Sequence, residues 1–575
     1  MAAKGGSRCG IGWRIAVLLV ALVVAAALPS VLAPNAGAAD GFVPISGSGS
    51  SWSFNALEQW RKNVAGLYGM TINFSPNGST NGRNDYTQGQ VDFAVSEIPY
   101  GLTDGGIPDP PPKRGYAYMP IVAGGTSFMY NLKIGGKRVT NLRLSGETIA
   151  KIFTQKITTW DDAQIKADNP GLTLPAREII PVVYSNGSGT TAQLTTWMAN
   201  QYPALWDDYC HRNNRPLTPC GFTSNYPIGP KMEAKAQSQG VSGFVAQDSS
   251  EGAITYVEYS YARNAGFPVA KMLNKANYYV EPLEGSVAVA LLNAKIAQDL
   301  TQDLTQVYIN SDPRTYPLSS YSYMIIPKGP DPGPTFNDRK GATLSEFGAY
   351  FLCEGQQTAD ILGYSPLPIN LVQAGVDRIN QIPGSTKKLD RNNLARCNNP
   401  TVSPTGGNKV AEDAPQPAAC DLKGPVQCTT GTGGARVPTP TRNNAAAGPG
   451  PAGGSNGGAG PSAGGGGPGG GGGAANSANT PGGGGDTGGT SATGNNLGAG
   501  PGQTIDPDTG QVTNNSALAG DSNSSGASAV PVSVDSADNR RQMLLAVLTI
   551  GVLLVLILGP PLLAYAVRRR EAAQR

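Results

Sequence analysis

Only residues 40–397 of this 575-residue chain have the composition of a globular core, and that uneven distribution constrains the fold more than any single motif. Residues 398–538 are dominated by Gly, Pro, Ser, Asn, Ala and Thr, with runs such as Gly464-Gly465-Gly466-Gly467 and Gly482-Gly483-Gly484-Gly485. So little apolar surface cannot offset the entropy lost on ordering, and the segment is expected to be a disordered tether. A flexible chain of about 140 residues has a mean span of about 65 Å.

The two ends carry targeting signals. Residues 1–39 place Lys4, Arg8 and Arg14 before an apolar run from Ile15 to Leu28, followed by small residues around Ala36-Gly37-Ala38-Ala39. That is the order of a secretory signal peptide. Cys9 lies ahead of the apolar run, so the arrangement for a lipid-modified N-terminal cysteine is missing. Residues 542–567 are uncharged and largely apolar, long enough for a transmembrane helix, which takes roughly 20 residues. Arg568-Arg569-Arg570 open a basic tail, 568–575, that argues for a cytoplasmic C-terminus. The expectation is a single-pass protein of the cell membrane with its folded domain extracytoplasmic.

Beyond Cys9 the chain has Cys210, Cys220, Cys353, Cys397, Cys420 and Cys428, an even set compatible with disulfides after secretion. Joining sequence neighbours pairs them in that order, one of several pairings open to six cysteines. No CxxC occurs and His211 is the one histidine, so neither a metal site nor a cofactor is expected. Ser188 has no histidine base to activate it, and the chain is expected not to be an enzyme. A formal charge of +3 is too small to suggest nucleic acid as a partner.

Within the core segment, β-branched and aromatic runs alternate with helical spacing. Met70–Phe74, Val91–Val95, Tyr116–Val122, Ile179–Val183 and Tyr321–Ile326 are expected strands, and Phe54–Tyr68, Ser145–Phe153, Ala192–Gln201 and Leu344–Leu352 expected helices. The alternation predicts an α/β fold, and about 350 residues exceed one comfortable core, which predicts two lobes. Three glycine-hydroxyl turns, Gly47-Ser48-Gly49-Ser50-Ser51-Trp52, Asn77-Gly78-Ser79-Thr80-Asn81-Gly82 and Asn186-Gly187-Ser188-Gly189-Thr190, stand at expected helix starts. Unpartnered first-turn N–H groups and the helix dipole favour an anion there. Glu97 follows the Val91–Val95 run as a possible acceptor. A carboxylate in such a site makes sense when the anion carries a hydrogen, which separates protonated phosphate from sulfate.

These turns, with Val91-Asp92-Phe93-Ala94-Val95-Ser96-Glu97, Ile157-Thr158-Thr159-Trp160-Asp161-Asp162, Asn169-Pro170-Gly171-Leu172 and Gly252-Ala253-Ile254-Thr255-Tyr256-Val257-Glu258-Tyr259, resemble the phosphate-binding proteins of bacterial ABC transporters over about residues 42–385. The resemblance implies a periplasmic-binding-protein type II fold over 40–397, with lobe I at about 41–123 and 317–397 and lobe II at about 124–316. It implies hinges near Ala123-Gly124-Gly125 and Tyr316-Pro317, and it implies inorganic phosphate or another small oxyanion as ligand and an ABC permease as partner. Its phosphate contacts fall on Ser51, Trp52, Ser79, Ser188, Gly189 and Thr190. The family's aspartate, which accepts the phosphate hydrogen, falls on Glu97. Its arginine falls on Tyr184, and the acidic residue that restrains that arginine falls on Asn186. Arg83 is an auxiliary candidate for the missing cation. The substitutions leave a second reading open, in which the fold serves as a surface-displayed scaffold or sensor.

Overall fold

The computed structural model describes residues 41–439, apart from 330–334, 386–389, 392–393 and 395–396, together with Gln503–Ile505 and Val512–Asn514, which pair as a two-stranded sheet. Apolar runs become strands and the apolar stripes between them become helices. In the first part of the chain these are β1 (Ile45–Gly49), α1 (Phe54–Tyr68), β2 (Ile72–Ser75), α2 (Ser79–Thr87) and β3 (Phe93–Ser96). Helix α1 buries Ala56, Leu57, Trp60 and Val64 along one face, as helical spacing dictates. It ends where Gly69, at φ 66°, takes the left-handed conformation that a side chain would disfavour.

The chain crosses the molecule in β4 (Tyr116–Tyr130), then builds β5 (Ile180–Tyr184), α3 (Gly189–Gln201), β6 (Glu233–Lys235), α4 (Gln237–Val245), β7 (Ala253–Glu258), α5 (Tyr259–Asn264) and α6 (Glu284–Leu291), and returns in β8 (Ser319–Pro327). The main sheet runs β6-β5-β7-β4-β8-β3-β1-β2. Two parallel trios, β2-β1-β3 and β6-β5-β7, flank the long antiparallel pair β4–β8.

Two hydrophobic cores divide the chain. One gathers residues from Ile45 to Ala123 and from Tyr321 to Cys397, with Val287. The other runs from Phe128 to Leu318. They define lobes I and II, and β4 and β8 pass from one to the other. The carboxyl ends of the parallel strands face the seam between lobes, the usual ligand position in open α/β sheets.

The tether expected from residue 398 is corrected by the structure for residues 398–439, which pack onto the folded body. Thr401 Oγ1 donates to Leu367 O at 3.2 Å in lobe I. In lobe II, Lys271 Nζ meets Asp421 Oδ1 at 2.7 Å, Arg143 Nη1 donates to Val426 O at 2.9 Å, and Thr140 N donates to Thr439 Oγ1 at 2.9 Å. Backbone hydrogen bonds and a disulfide order this strap, and neither is visible to an argument that counts apolar side chains. The disulfides are Cys210–Cys220, Cys353–Cys397 and Cys420–Cys428. Among the described residues no helix is long and apolar enough to cross a membrane. Residues 1–39, 542–567 and 568–575, expected to be leader, spanning helix and tail, lie outside them.

Candidate functional site

The three glycine-hydroxyl turns meet in the seam between lobes. Gly49 ends β1 at φ 135°, and a Cβ there would overlap the Val95 carbonyl, so only glycine lets the first turn press against β3. The turn that follows presents Ser50 and Ser51. The second turn starts α2 with Ser79 at its first position, and the third starts α3 with Ser188 as N-cap, its hydroxyl accepting from Thr191 N at 3.3 Å.

Glu97, just past β3, is the centre of the arrangement and is only 2% exposed. Its Oε2 accepts from Ser50 Oγ at 2.8 Å and Ser79 Oγ at 2.9 Å, and its Oε1 from Ser322 Oγ at 2.7 Å. Burial pushes the carboxyl above its ordinary range, while the hydroxyls of Ser322, Ser50 and Ser79 oppose the shift by bonding the charged form. Lobe II reaches the same point: Gly189 N donates to Ser79 Oγ at 3.0 Å, and a methyl placed on Gly189 would overlap Glu97 Oε2.

A second set of bonds closes the seam beside the first. Ser51 Oγ lies 2.9 Å from Ser238 Oγ and accepts from Ser238 N at 2.9 Å. Tyr184 OH is 3.0 Å from Ser238 Oγ, and Tyr261 OH donates to Ser51 O at 2.5 Å. Thr80 Oγ1 donates to Ser224 Oγ at 2.9 Å, and Asn186 Oδ1 accepts from Gln237 N, which holds the start of α4. Trp52 is fully buried, its ring edge-on to Tyr364 at 5.8 Å and its backbone N–H donated to Ser50 Oγ at 3.0 Å.

Of the residues named from sequence, Ser79, Glu97 and Gly189 meet at one point. Ser51 is turned toward Ser238 rather than Glu97, Ser188 caps its own helix, and Thr190 hydrogen-bonds Tyr184. Arg83 does not serve the seam as its candidacy required. Its buried guanidinium is paired with Asp109 at 2.9 Å, because a buried charge needs a counter-ion and Asp109 supplies it. Tyr184, where the resemblance puts the family's arginine, carries a neutral hydroxyl, and burial pushes that hydroxyl's pKa far up. Ser50, Ser238 and Ser322 were not singled out from sequence. Ser322 had a signal, the one serine within the aromatic and apolar run Tyr321–Ile326 of β8.

A second buried carboxyl lies at the end of β7. Glu258 Oε2 accepts from Ser260 N at 2.8 Å and from the Ser260 hydroxyl, capping α5, while Oε1 has no hydrogen-bond partner among the described residues. Burial raises it well above the ordinary carboxylate range. A Cβ on Gly124 would touch both Glu258 and Trp52, which places this carboxyl beside the β4 crossing.

Two lobes built on parallel trios, closing on a cage of hydroxyls and helix N-termini, define a two-lobed solute-binding fold, and the model of the PBP superfamily domain matches residues 32–354. Phosphate-binding protein PstS of Xylella fastidiosa is 30% identical over 332 residues, covering 58% of this chain and 83% of its own length. Phosphate-binding protein PstS 2 of Mycobacterium tuberculosis is 29% identical, covering 56% and 82%. The solved phosphate binding protein of Stenotrophomonas maltophilia is 16% identical, with a TM-score of 0.43 over 58% of this chain and 92% of that one. The chain belongs to the PBP superfamily and, within it, to the family of the PstS proteins.

Proposed function

We propose that this chain is a non-enzymatic extracytoplasmic solute receptor that captures inorganic phosphate, or another small oxyanion carrying a hydrogen, between its lobes and delivers it to an ABC permease. The observation that carries this reading is the convergence of Ser50 and Ser79 on Glu97, an acceptor set among donors, with Gly189 of the other lobe donating to Ser79 at the same point. Hydroxyls and the N-termini of α2 and α3 supply hydrogen bonds to anionic oxygens. A carboxylate at Glu97 takes a hydrogen from protonated phosphate and repels fully ionised sulfate. The names of the PstS relatives support the same ligand. We further propose that the leader and residues 542–567 place the folded body outside the cell membrane, anchored by one helix, with residues 440–538 as spacer. Calorimetry on the full-length chain tests the ligand: phosphate is expected to bind and sulfate not, and equal binding of both, or no phosphate binding at millimolar concentration, overturns the reading.

A second reading is favoured by Tyr184, which puts a neutral hydroxyl where the family has an arginine. A charge-assisted hydrogen bond contributes about 1.5–3 kcal/mol, so its loss weakens phosphate binding by one or two powers of ten. In this reading the fold has become a displayed scaffold or sensor. Restored phosphate uptake in a receptor-null strain excludes it.

A further inference from the structure

The seam is closed, and the hydroxyls and amides that meet at Glu97 and Ser51 already have acceptors within the protein. Ser50 and Ser79 donate to Glu97 Oε2 and Ser322 to Oε1. The Gly189 amide donates to Ser79, the Ser238 amide to Ser51, and the Ser188 hydroxyl is held by its own helix. Glu97 itself bonds lobe II through its main chain, where Gln193 Nε2 donates to Glu97 O at 3.2 Å. The start of α3 lies so close that a Cβ on Gly189 would overlap Glu97 Oε2 where it now stands. Relative to the aspartate of its family, Glu97 extends one methylene further toward lobe II, and that reach carries the carboxyl into the cage.

We propose that Glu97 is a built-in occupant of the anion cage: its carboxyl engages lobe I hydroxyls that a captured oxyanion would engage and holds Ser79 where it accepts the Gly189 amide of lobe II, keeping the lobes latched without ligand. An incoming oxyanion competes with a side chain at very high local concentration and must turn it out before it can bind. Affinity is thus set by the length of residue 97 as well as by the arginine that Tyr184 replaces. The latch stands on the geometry alone, whereas the competing ligand rests on the receptor reading above.

Hydrogen–deuterium exchange of the full-length chain without ligand tests the latch at the amides of Gly189 and Ser238, both of which donate across the seam. Calorimetry against inorganic phosphate on the same samples tests the competition. Wild type is expected to protect both amides, and Glu97→Ala to lower that protection about tenfold or more while β4 amides such as Ile121 stay unchanged. Glu97→Asp, which withdraws the carboxyl but keeps the acceptor, is expected to bind phosphate about tenfold more tightly than wild type by releasing one or two hydroxyl donors. Free exchange at Gly189 and Ser238 in wild type, unchanged protection in Glu97→Ala, or equal phosphate affinity in wild type and Glu97→Asp overturns the proposal. Should Glu97→Ala fail to fold, protection in Glu97→Asp decides in its place, a loss supporting the latch and no loss overturning it. Protection lost on substitution with no phosphate binding by any chain leaves the latch standing and refutes phosphate as the ligand.

Discussion

The lobes are joined by two kinds of contact, the hydroxyl seam around Glu97 and the strap of residues 398–439, and the two differ in chemistry. The seam is made of serine, threonine and tyrosine hydroxyls and backbone amides, such as Ser51 with Ser238 and Ser79 with Gly189. Neutral bonds of this kind contribute about 0.5–1.5 kcal/mol each once water is allowed as the alternative partner. They can be exchanged for a ligand or for solvent at small net cost. The strap relies on a largely buried ion pair, Lys271 with Asp421, on an Arg143 guanidinium surrounded by strap carbonyls, and on the Cys420–Cys428 disulfide. Those groups have no cheap alternative partner. The seam is therefore the part that opens, and the strap the part that stays fastened to lobe II.

The largest expected effect comes from breaking the fastened part. Asp421→Ala leaves Lys271, only 14% exposed, without its counter-ion, and is expected to cost about 3 kcal/mol in urea denaturation. A loss under about 1 kcal/mol would place the strap among surface decorations. Next comes the seam itself: Gly189→Ala drives a methyl into Glu97 Oε2 and Ser79 Oγ, an overpacking strain of about 2 kcal/mol on the closed form. Because the lobes can part to relieve it, the expected readout is lost amide protection at Ser238 with global unfolding nearly unchanged. If global stability falls as it does for Asp421→Ala, the seam is fastened as firmly as the strap.

The smallest effect, counted per pH unit, sharpens the comparison through pH. Burial raises the folded pKa of Glu258 well above its unfolded value. The native state then holds more protons than the unfolded one, so stability is fully present below the unfolded pKa and is lost as pH rises through the folded pKa. Wild type is expected to melt lower at pH 7.5 than at pH 5.5, by pH values chosen to bracket about two units of the carboxylate-to-neutral window. Glu258→Gln is expected to remove up to about 1.4 kcal/mol per pH unit from that slope, since one proton is involved. Glu97 supplies what remains, its carboxyl being raised for the same reason. Thermal melts of both chains across that range check the result, and parallel slopes would assign the dependence elsewhere.

The positions of the three turns were legible because their signal is local. A glycine-hydroxyl cluster after an apolar run marks a strand-to-helix junction, and β1, β2 and β5 each end in one. Helix α1 was legible at both ends for the same reason, its apolar stripe and Gly69 stop being short-range features. Ser238 was not, since the strand before α4 is Glu233-Ala234-Lys235 and no apolar run marks the junction. Arg83 was misplaced because its charge is visible in sequence while its partner, Asp109, is not. The strap was misread because its order comes from carbonyls accepting hydrogen bonds from Arg143, and every residue has a carbonyl whatever its composition.

Local propensity and hydrophobic period thus determined, from the sequence by itself, the α/β alternation and the turns that carry hydroxyls to helix starts. Which hydroxyl faces which oxygen was decided only by tertiary structure. Ser322 reaches Glu97 across 225 residues of chain, and Ser51 reaches Ser238 across 187. Hydrogen bonds form or fail over tenths of an ångström, and distances that fine between remote segments are set by how two cores pack against one long antiparallel pair, which no local pattern encodes.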